Sequence, residues 1–206
     1  MDKDSQPAPH GLFDTYLGSQ SVEDLLSYVI EHEGQFRPST VGAKDSLRVD
    51  TGFRTSLGIS RFGPLEALFR DKILKDLPTM SATLGVPTFE PTHVELDLTV
   101  YGDGAFYERH IDTVVARAVM PSTTRVISAV YYFHPLPKIF TGGSLRLFSF
   151  FAAGGNPGYT DIEPIRDRLV FFPSWAPHEV QPVRCPSKVF TDARFSINCW
   201  FHRAAR

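Results

Sequence analysis

The apolar positions of the chain fall into two regimes that meet near residue 87. Before it, apolar residues recur at helical spacing. Val22, Leu25, Leu26, Val29 and Ile30 make one stripe, and Leu65, Leu68, Phe69, Ile73 and Leu77 make another. The pattern predicts a first helix opening at Ser21, where Ser21-Val22-Glu23-Asp24 has the form of a capping box, and stopped by Gly34. A second helix is expected from Pro64, a residue suited to the first helical position, with Pro78 breaking it and a short further turn reaching Leu84. Past Pro87 the period drops to two. Val94, Leu96, Leu98 and Val100 alternate with Glu95, Asp97 and Thr99, the pattern of a half-buried strand. Further strands are expected at 106–111, 125–133, 144–148, 168–172, 178–183 and 195–201. Gly142-Gly143, Gly154-Gly155, Pro157-Gly158 and Pro173 supply breaks between them.

Short strands behind two helices predict an α+β, mainly β fold, a β-sandwich or jelly roll with N-terminal helices packed on one face. Residues 1–18, rich in Pro, Gly and polar groups, read as a loose arm. Residues 19–87 read as helical support and a strand-and-loop segment (35–63), and residues 88–203 as the jelly-roll core of a single domain spanning 1–206.

Composition narrows the function. Seventeen Phe and seven Tyr suit β structure better than a helical bundle. A net charge of −2 offers no basic field for nucleic acid. The two cysteines, Cys185 and Cys199, are too few for a disulfide framework and lack zinc-binding CxxC spacing. They read as thiols of a reducing compartment. No run approaches the roughly 20 apolar residues of a membrane span. Met1-Asp2-Lys3-Asp4-Ser5 lacks the apolar run of a signal peptide, so a cytoplasmic location is expected.

Three features carry candidate chemistry. In Glu108-Arg109-His110-Ile111-Asp112, side chains two apart on a strand point the same way, so His110 and Asp112 can present an imidazole and a carboxylate to one ion. His178 begins a strand after the Pro-rich turn Trp175-Ala176-Pro177. Arg194 and Ser196 share a face of a strand bounded by apolar residues, where a guanidinium is costly to bury without a carboxylate partner. Together they suit a dicarboxylate held by a fork and a hydroxyl. Two His and one Asp leave three positions of an octahedral Fe(II) open, enough for a bidentate 2-oxo acid and O2. Arg194 is then placed to anchor the remote carboxylate of that acid. A zinc enzyme using the same three ligands would have no need of Arg194. A jelly-roll binding module without turnover would be expected to lack a ligand or the arginine. The intact Asp112 argues against a halogenase, which needs the carboxylate position empty.

From about Val94 to Phe201 the chain resembles the prolyl 4-hydroxylase-like branch of the Fe(II)/2-oxoglutarate dioxygenases. It is most similar there to the hypoxia-sensing prolyl hydroxylase domains and their bacterial relatives. The resemblance rests on Tyr101-Gly102-Asp103-Gly104 leading to Tyr107-Glu108-Arg109-His110-Ile111-Asp112, and on Arg125-Val126-Ile127-Ser128-Ala129-Val130-Tyr131-Tyr132. It continues through Gly142-Gly143-Ser144-Leu145-Arg146-Leu147-Phe148, Asp161-Ile162-Glu163-Pro164 and Asp167-Arg168-Leu169-Val170-Phe171-Phe172. Pro177-His178-Glu179-Val180-Gln181-Pro182-Val183 and Arg194-Phe195-Ser196-Ile197-Asn198-Cys199-Trp200-Phe201 complete it. Arg54-Thr55-Ser56 is similar to a segment ahead of the core in the same enzymes.

The resemblance implies a double-stranded β-helix with His110, Asp112 and His178 as iron ligands. Arg194 would be the salt-bridge partner of the 2-oxoglutarate C5 carboxylate, with Tyr132 touching the same group. Tyr101 would lie near the chelating end, and Ser196 fits the Arg-x-Ser form of many relatives. It implies Fe(II), 2-oxoglutarate and O2, with ascorbate as a supporting reductant, and hydroxylation of an unactivated C–H bond. The substrate implied first is a prolyl residue in a protein or peptide; a free amino acid or small natural product is the alternative. A peptide favours an open groove flanked by 35–63, and a small molecule a closed polar pocket. The chain departs from the hypoxia-sensing type in two places. Residues 184–192, from Arg184 to Asp192, look like an insertion beside the substrate entrance or on a hairpin. Residues 113–124, which carry Arg117 and Met120, lack the type's Gly/Asn-rich spacing. Among the remaining histidines, His10, His32, His93 and His202 read as surface or hydrogen-bonding residues, and His134 as the one whose edge faces the pocket.

Overall fold

The computed structural model describes residues 7–42, 47–113, 122–150 and 158–205. Two helices precede most of the β structure, α1 (Ser19–Glu31) and α2 (Pro64–Leu84). Helix α1 buries Val22, Leu25, Leu26 and Val29, while Ile30 stands exposed and leaves the predicted stripe. No capping box forms at Ser21, because the helix starts two residues earlier and Gly18 is the N-cap. The Asp167 carboxylate fixes the chain that leads into the helix, accepting from Leu17 N–H at 2.8 Å and Gly18 N–H at 2.9 Å. Helix α1 ends at Glu31, ahead of Gly34, and a 3-10 turn follows at Glu33–Gln35.

Helix α2 corrects the predicted break, for it runs through Pro78 to Leu84. The lost backbone bond is on the exposed side, while Leu77, Met80 and Leu84 stay buried on the other, and that packing holds the helix together. Gly85 closes it in the left-handed conformation (φ 65°) that C-terminal caps favour. Leu68 is exposed and does not join the packed face. Among the described residues no helix is long and apolar enough to cross a membrane.

Seven strands form the larger sheet. In spatial order they are β1 (Gly11–Phe13), β10 (Arg168–Pro173), β6 (Thr123–Phe133), β13 (Arg194–Ala204), β4 (His93–Tyr101), β3 (Leu57–Ile59) and β2 (Arg37–Pro38). A four-stranded sheet faces it, ordered β5 (Tyr107–His110), β11 (His178–Val180), β8 (Leu145–Phe148) and β9 (Tyr159–Ile162). A short pair, β7 (Thr141–Gly142) and β12 (Val183–Arg184), completes the fold. All pairings are antiparallel. This is the expected mainly β double-stranded β-helix with both helices on one face.

Strand alternation divides the large sheet between two environments. One face carries Leu96, Leu98 and Val100 of β4, Ile127, Ala129 and Tyr131 of β6, and Phe195, Ile197 and Cys199 of β13. These pack with Val22, Leu25, Phe69, Ile73 and Met80 of the helices in one core. The opposite face turns Tyr132, Val170 and Phe172 towards Leu145, Leu147 and Ile162 of the small sheet. The space between the sheets holds the candidate site.

The N-terminal arm differs from expectation. The arm is tied down from residue 8: Ala8 is buried and donates its N–H to Phe148 O, and β1 adds an edge strand beside β10. A side chain at Gly11 would collide with Phe171, its Cβ lying 2.1 Å from that ring. The segment 184–192 packs on the protein body rather than lining the cavity. Phe190, in a 3-10 turn at Phe190–Asp192, stacks edge-on against Phe36 and Phe195 at 5.3 Å each. Cys185 is buried there, and Cys199 lies in the main core. Residues 114–121, which include Arg117 and Met120, lie outside the described residues.

Candidate metal centre and anion pocket

The hydrogen-bonded strands β5 and β11 place His110 directly opposite His178. Asp112 completes the group, and one ligand atom from each of the three lies within 4.8 Å of the others. Among the described residues this is the one group of three or more His, Cys, Asp or Glu side chains so placed. Each imidazole is aimed by a backbone carbonyl. His110 Nδ1 lies 2.7 Å from Glu108 O, and His178 Nδ1 lies 2.8 Å from Ala176 O. With those nitrogens donating, both Nε2 lone pairs face Asp112, at 3.7 Å and 3.5 Å from its two oxygens.

Strand parity does not account for Asp112. Strand β5 ends at His110, and Asp112 follows in a bend outside it. Its position comes from the other sheet. The Asp112 N–H donates to Ser174 O at 2.8 Å, and Ser128 on β6 donates its hydroxyl to Asp112 Oδ2 at 2.7 Å. Ser174 Oγ lies 2.9 Å from Ser128 Oγ. Burial, then the nearby His178, holds the His110 imidazole well below its usual pKa, so its lone pair is free at neutral pH. Burial alone would raise the Asp112 carboxyl, but His178, His110, Arg125 and the Ser128 bond outweigh it and keep the group ionised. Two imidazoles and a carboxylate on one side of a cavity are a donor set that fits Fe(II).

The second half of the pocket is built around Arg194. It is the first residue of β13, paired in register with Tyr101 of β4, and only 1% exposed. The guanidinium lies between two rings, 4.8 Å from the centroids of both Tyr101 and Tyr132. One terminal nitrogen lies 3.4 Å from Ser196 Oγ, a long contact, as that hydroxyl is 2.9 Å from Thr99. The Arg194 Nε and the Tyr132 hydroxyl, both buried, have no hydrogen-bond partner among the described residues. Burial, opposed by Arg194, pushes the Tyr132 hydroxyl up to about 12, so it is a neutral donor. A buried cation and a buried phenol left unpaired cost several kcal/mol together unless an anion arrives. Gly143 keeps the room for the arginine: its φ is 68°, and a Cβ there would lie 2.7 Å from Arg194 Cδ. These groups fit the remote carboxylate of a dicarboxylate such as 2-oxoglutarate.

One cavity of about 440 Å³ joins both halves, lined by His110, Asp112, His178, Tyr101 and Arg194. Tyr132 and Ser196 are buried beside Arg194. His134 is buried elsewhere, edge-on to Phe140, and does not line this cavity.

The cavity also has walls that motif reading passed over. Tyr107 stacks on the His110 ring at 3.6 Å, and the Arg54 guanidinium lies 4.7 Å over Tyr107. Arg125 donates to Glu95 at 2.7 Å and covers Trp200, and His202 Nε2 is 3.0 Å from the same Glu95 oxygen. Asp97 and Asn198, opposite one another on β4 and β13, line the floor. The signal was present in the strand alternation: Glu95, Asp97 and Thr99 form the polar edge of β4, and that edge faces the cavity. Ser128, a hydroxyl within an apolar strand, was the corresponding mark of the Asp112 support.

The sequence matches the 2OG-Fe(II) oxygenase superfamily over residues 96–202, just over half of the chain. It is 30% identical over 203 residues to an uncharacterised PKHD-type hydroxylase of Synechocystis, covering 96% of this chain and 64% of that protein. It is 32% identical over 108 residues to human Egl nine homolog 1, covering 50% of this chain and 21% of that protein. The chain thus spans less than two thirds of either relative. Two solved structures share the fold. A Pseudomonas putida prolyl-4-hydroxylase superposes with a TM-score of 0.65 at 22% identity, over 96% of this chain and 94% of the other. A Trichoplax adhaerens prolyl hydroxylase in complex with a hypoxia inducible factor peptide fragment gives 0.63 at 21% identity, over 94% and 83%. The chain belongs to the 2OG-Fe(II) oxygenase superfamily, the family of Fe(II), 2-oxoglutarate and O2.

Proposed function

We propose that this chain is an Fe(II)- and 2-oxoglutarate-dependent hydroxylase in which His110, Asp112 and His178 hold the metal and Arg194 holds the cosubstrate. One observation carries the reading: a fully buried arginine with an unpaired Nε opens into the same cavity as a His-Asp-His group. When bound, Fe(II) with 2-oxoglutarate and O2 supplies the oxidising power to place an oxygen atom on a C–H bond, releasing succinate and CO2. The chain's own residues do the binding and aiming. Glu108 O and Ala176 O fix the two imidazoles, Ser128 and Ser174 fix the carboxylate, and Arg194 with Tyr132 would take the C5 carboxylate. Tyr101 flanks the arginine, and Ser196 backs it. Phe172 and Tyr107 pack against His178 and His110 and limit water around the ligands.

The substrate we propose is a prolyl residue in a peptide or protein. The wall opposite the core is built by Arg37, Ser39, Val41, Arg54 and Gly58, so the 35–63 segment flanks the cavity as a peptide groove would need. The likeness to the Egl nine proteins and to the peptide-bound Trichoplax enzyme supports the same reading. A free amino acid is the second reading, favoured by charged groups of both signs, Arg54 and Asp97, on the cavity wall.

Succinate release measured with Fe(II), 2-oxoglutarate and ascorbate tests the activity, and mass spectrometry of proline-containing peptides and free amino acids tests the substrate. Wild-type protein is expected to release succinate, and Asp112→Ala to release none. An absence of both 2-oxoglutarate binding and turnover in the wild type would overturn the proposal. Oxygen added to the amino-acid pool but to no peptide would move the substrate to the second reading.

A further inference from the structure

The substrate side of the cavity holds a carboxylate without a partner. Asp97 lies on the inner face of β4 and lines the same cavity as the three candidate ligands. The other polar residues on that face are engaged. Glu95 takes Arg125 and His202, and the Thr99 hydroxyl meets Ser196 and Asn198. Among the described residues no hydrogen bond or ion pair reaches the Asp97 carboxylate. Arg54 acts on it only electrostatically, since its Nε is given to Ser56 Oγ at 2.6 Å and its plane to Tyr107. The flank of Asp97 is also kept open. A Cβ at Gly58, on the neighbouring β3, would stand 3.4 Å from both carboxylate oxygens and 3.3 Å from Ser39 Oγ.

A partly buried carboxylate that faces a cavity gains when a cation arrives to pair with it. We propose that Asp97 determines substrate specificity by pairing with a cationic nitrogen of the substrate, an ammonium or a guanidinium. The proposal rests on the hydroxylase reading above. Burial already raises this carboxyl to about 6, as suits a group whose partner arrives with the ligand. Two sources offer the same chemistry, a basic side chain next to the target residue of a peptide and the amino group of a free amino acid.

Calorimetric titration of the full chain, loaded with Fe(II) and 2-oxoglutarate under anaerobic conditions, tests it with two matched pairs of probes. One pair is N-acetylated, C-amidated Ala-Pro-Lys against Ala-Pro-norleucine. The other is L-proline against N-acetyl-L-proline. In one pair the cationic member is expected to bind about tenfold more tightly or better, as a desolvated ion pair would allow. The pair that discriminates identifies the source. Asp97→Asn should erase the preference and Asp97→Glu should restore part of it. Gly58→Val, which leaves the carboxylate but closes its flank, should weaken the cationic probe more than the neutral one. A wild type without charge preference in either pair, or a preference that survives Asp97→Asn, overturns the proposal. Binding of 2-oxoglutarate, titrated first, separates the two failures: its loss in the wild type defeats the hydroxylase reading, whereas its presence without charge preference defeats only the role of Asp97.

Discussion

Ser128 donates a 2.7 Å hydrogen bond to Asp112, reaching from the centre of the large sheet to a bend beyond the end of β5. That bond joins the two halves of the roll at the candidate metal centre. It also occupies one lone pair of Oδ2, and so helps decide which way the carboxylate faces. Ser128→Ala is expected to keep the fold and to weaken metal binding by about 10–100-fold, the range typical of lost support behind a ligand. Titration of Fe(II) or Co(II) into the apoprotein measures it. Ser128→Thr, which keeps the hydroxyl, should recover most of the loss. Equal metal affinity in Ser128→Ala would show that the Ser174 backbone contact suffices.

The unpaired Nε of Arg194 makes opposite predictions for binding and stability. Arg194→Met should lower 2-oxoglutarate affinity by about 100-fold or more, because a charge-assisted fork is lost. The same change removes an uncompensated buried charge, so the melting temperature of the ligand-free chain should not fall. A gain of about 1 kcal/mol would raise it by about 2–4 °C in a chain of this size. Saturating 2-oxoglutarate should stabilise wild type and not the variant, which differential scanning calorimetry would show.

Asp97 gives a pH signature in the ligand-free chain. Its carboxyl is raised from 3.8 to about 6 by burial and by Glu95, with Arg54 and Arg125 opposing. The folded-state value therefore lies above the unfolded one, so the folded chain binds the extra proton. The contribution of Asp97 to stability is greatest below about pH 4, falls as pH rises towards 6, and levels off above 7. Asp97→Asn should cancel that fall. It should be more stable than wild type by about 2 kcal/mol at pH 7.5 and no more stable at pH 4. Urea unfolding of both proteins across that range is the measurement, and parallel curves would contradict the assigned environment.

Asp167 holds the entry to α1 from a distant turn. Its carboxylate accepts from Leu17 N–H, Gly18 N–H and the buried Tyr131 hydroxyl, the last at 2.8 Å. Its backbone sits at φ 62°, a conformation that Asp and Asn tolerate better than most residues. Asp167→Ala should cost about 2–4 kcal/mol, combining three lost hydrogen bonds with backbone strain. Asp167→Asn should cost less, because it keeps the backbone preference and one acceptor. Thermal melts would rank the three, and a neutral Asp167→Ala would show that water replaces the carboxylate.

Much of this architecture was legible in the chain. The period-two run from Val94 to Val100 became β4 with Leu96 and Leu98 in the helix-facing core, as alternation requires. His178 opens β11, and Arg194 opens β13 with Ser196 on its face. Local signals failed where distant packing overrode them. The capping box at Ser21 did not form, because the helix starts two residues earlier, behind an entry held by the Asp167 carboxylate 146 positions from Ser21. Pro78 failed to end α2 because the buried face on both sides of it outweighs one backbone bond. The arm could not be read, since β1 exists only as a partner of β10.

The sequence by itself determined the residue types and their order: two imidazoles, a carboxylate, a strand-borne arginine, and strands with one apolar and one polar edge. These follow from periodicity and side-chain chemistry, which are local. Which polar edge meets water and which lines a cavity is not local. The Glu95-Asp97-Thr99 edge reads as a solvent face, and only the second sheet standing over it turns it into the wall of the site. The convergence of His110, Asp112 and His178 was likewise decided by β11 pairing and by Ser128 and Ser174, contacts between positions far apart in the chain. Among the described residues, tertiary structure also left the Arg194 Nε and the Asp97 carboxylate without a hydrogen-bond partner. A charge's cost depends on what surrounds it, and the chain's own order does not contain that.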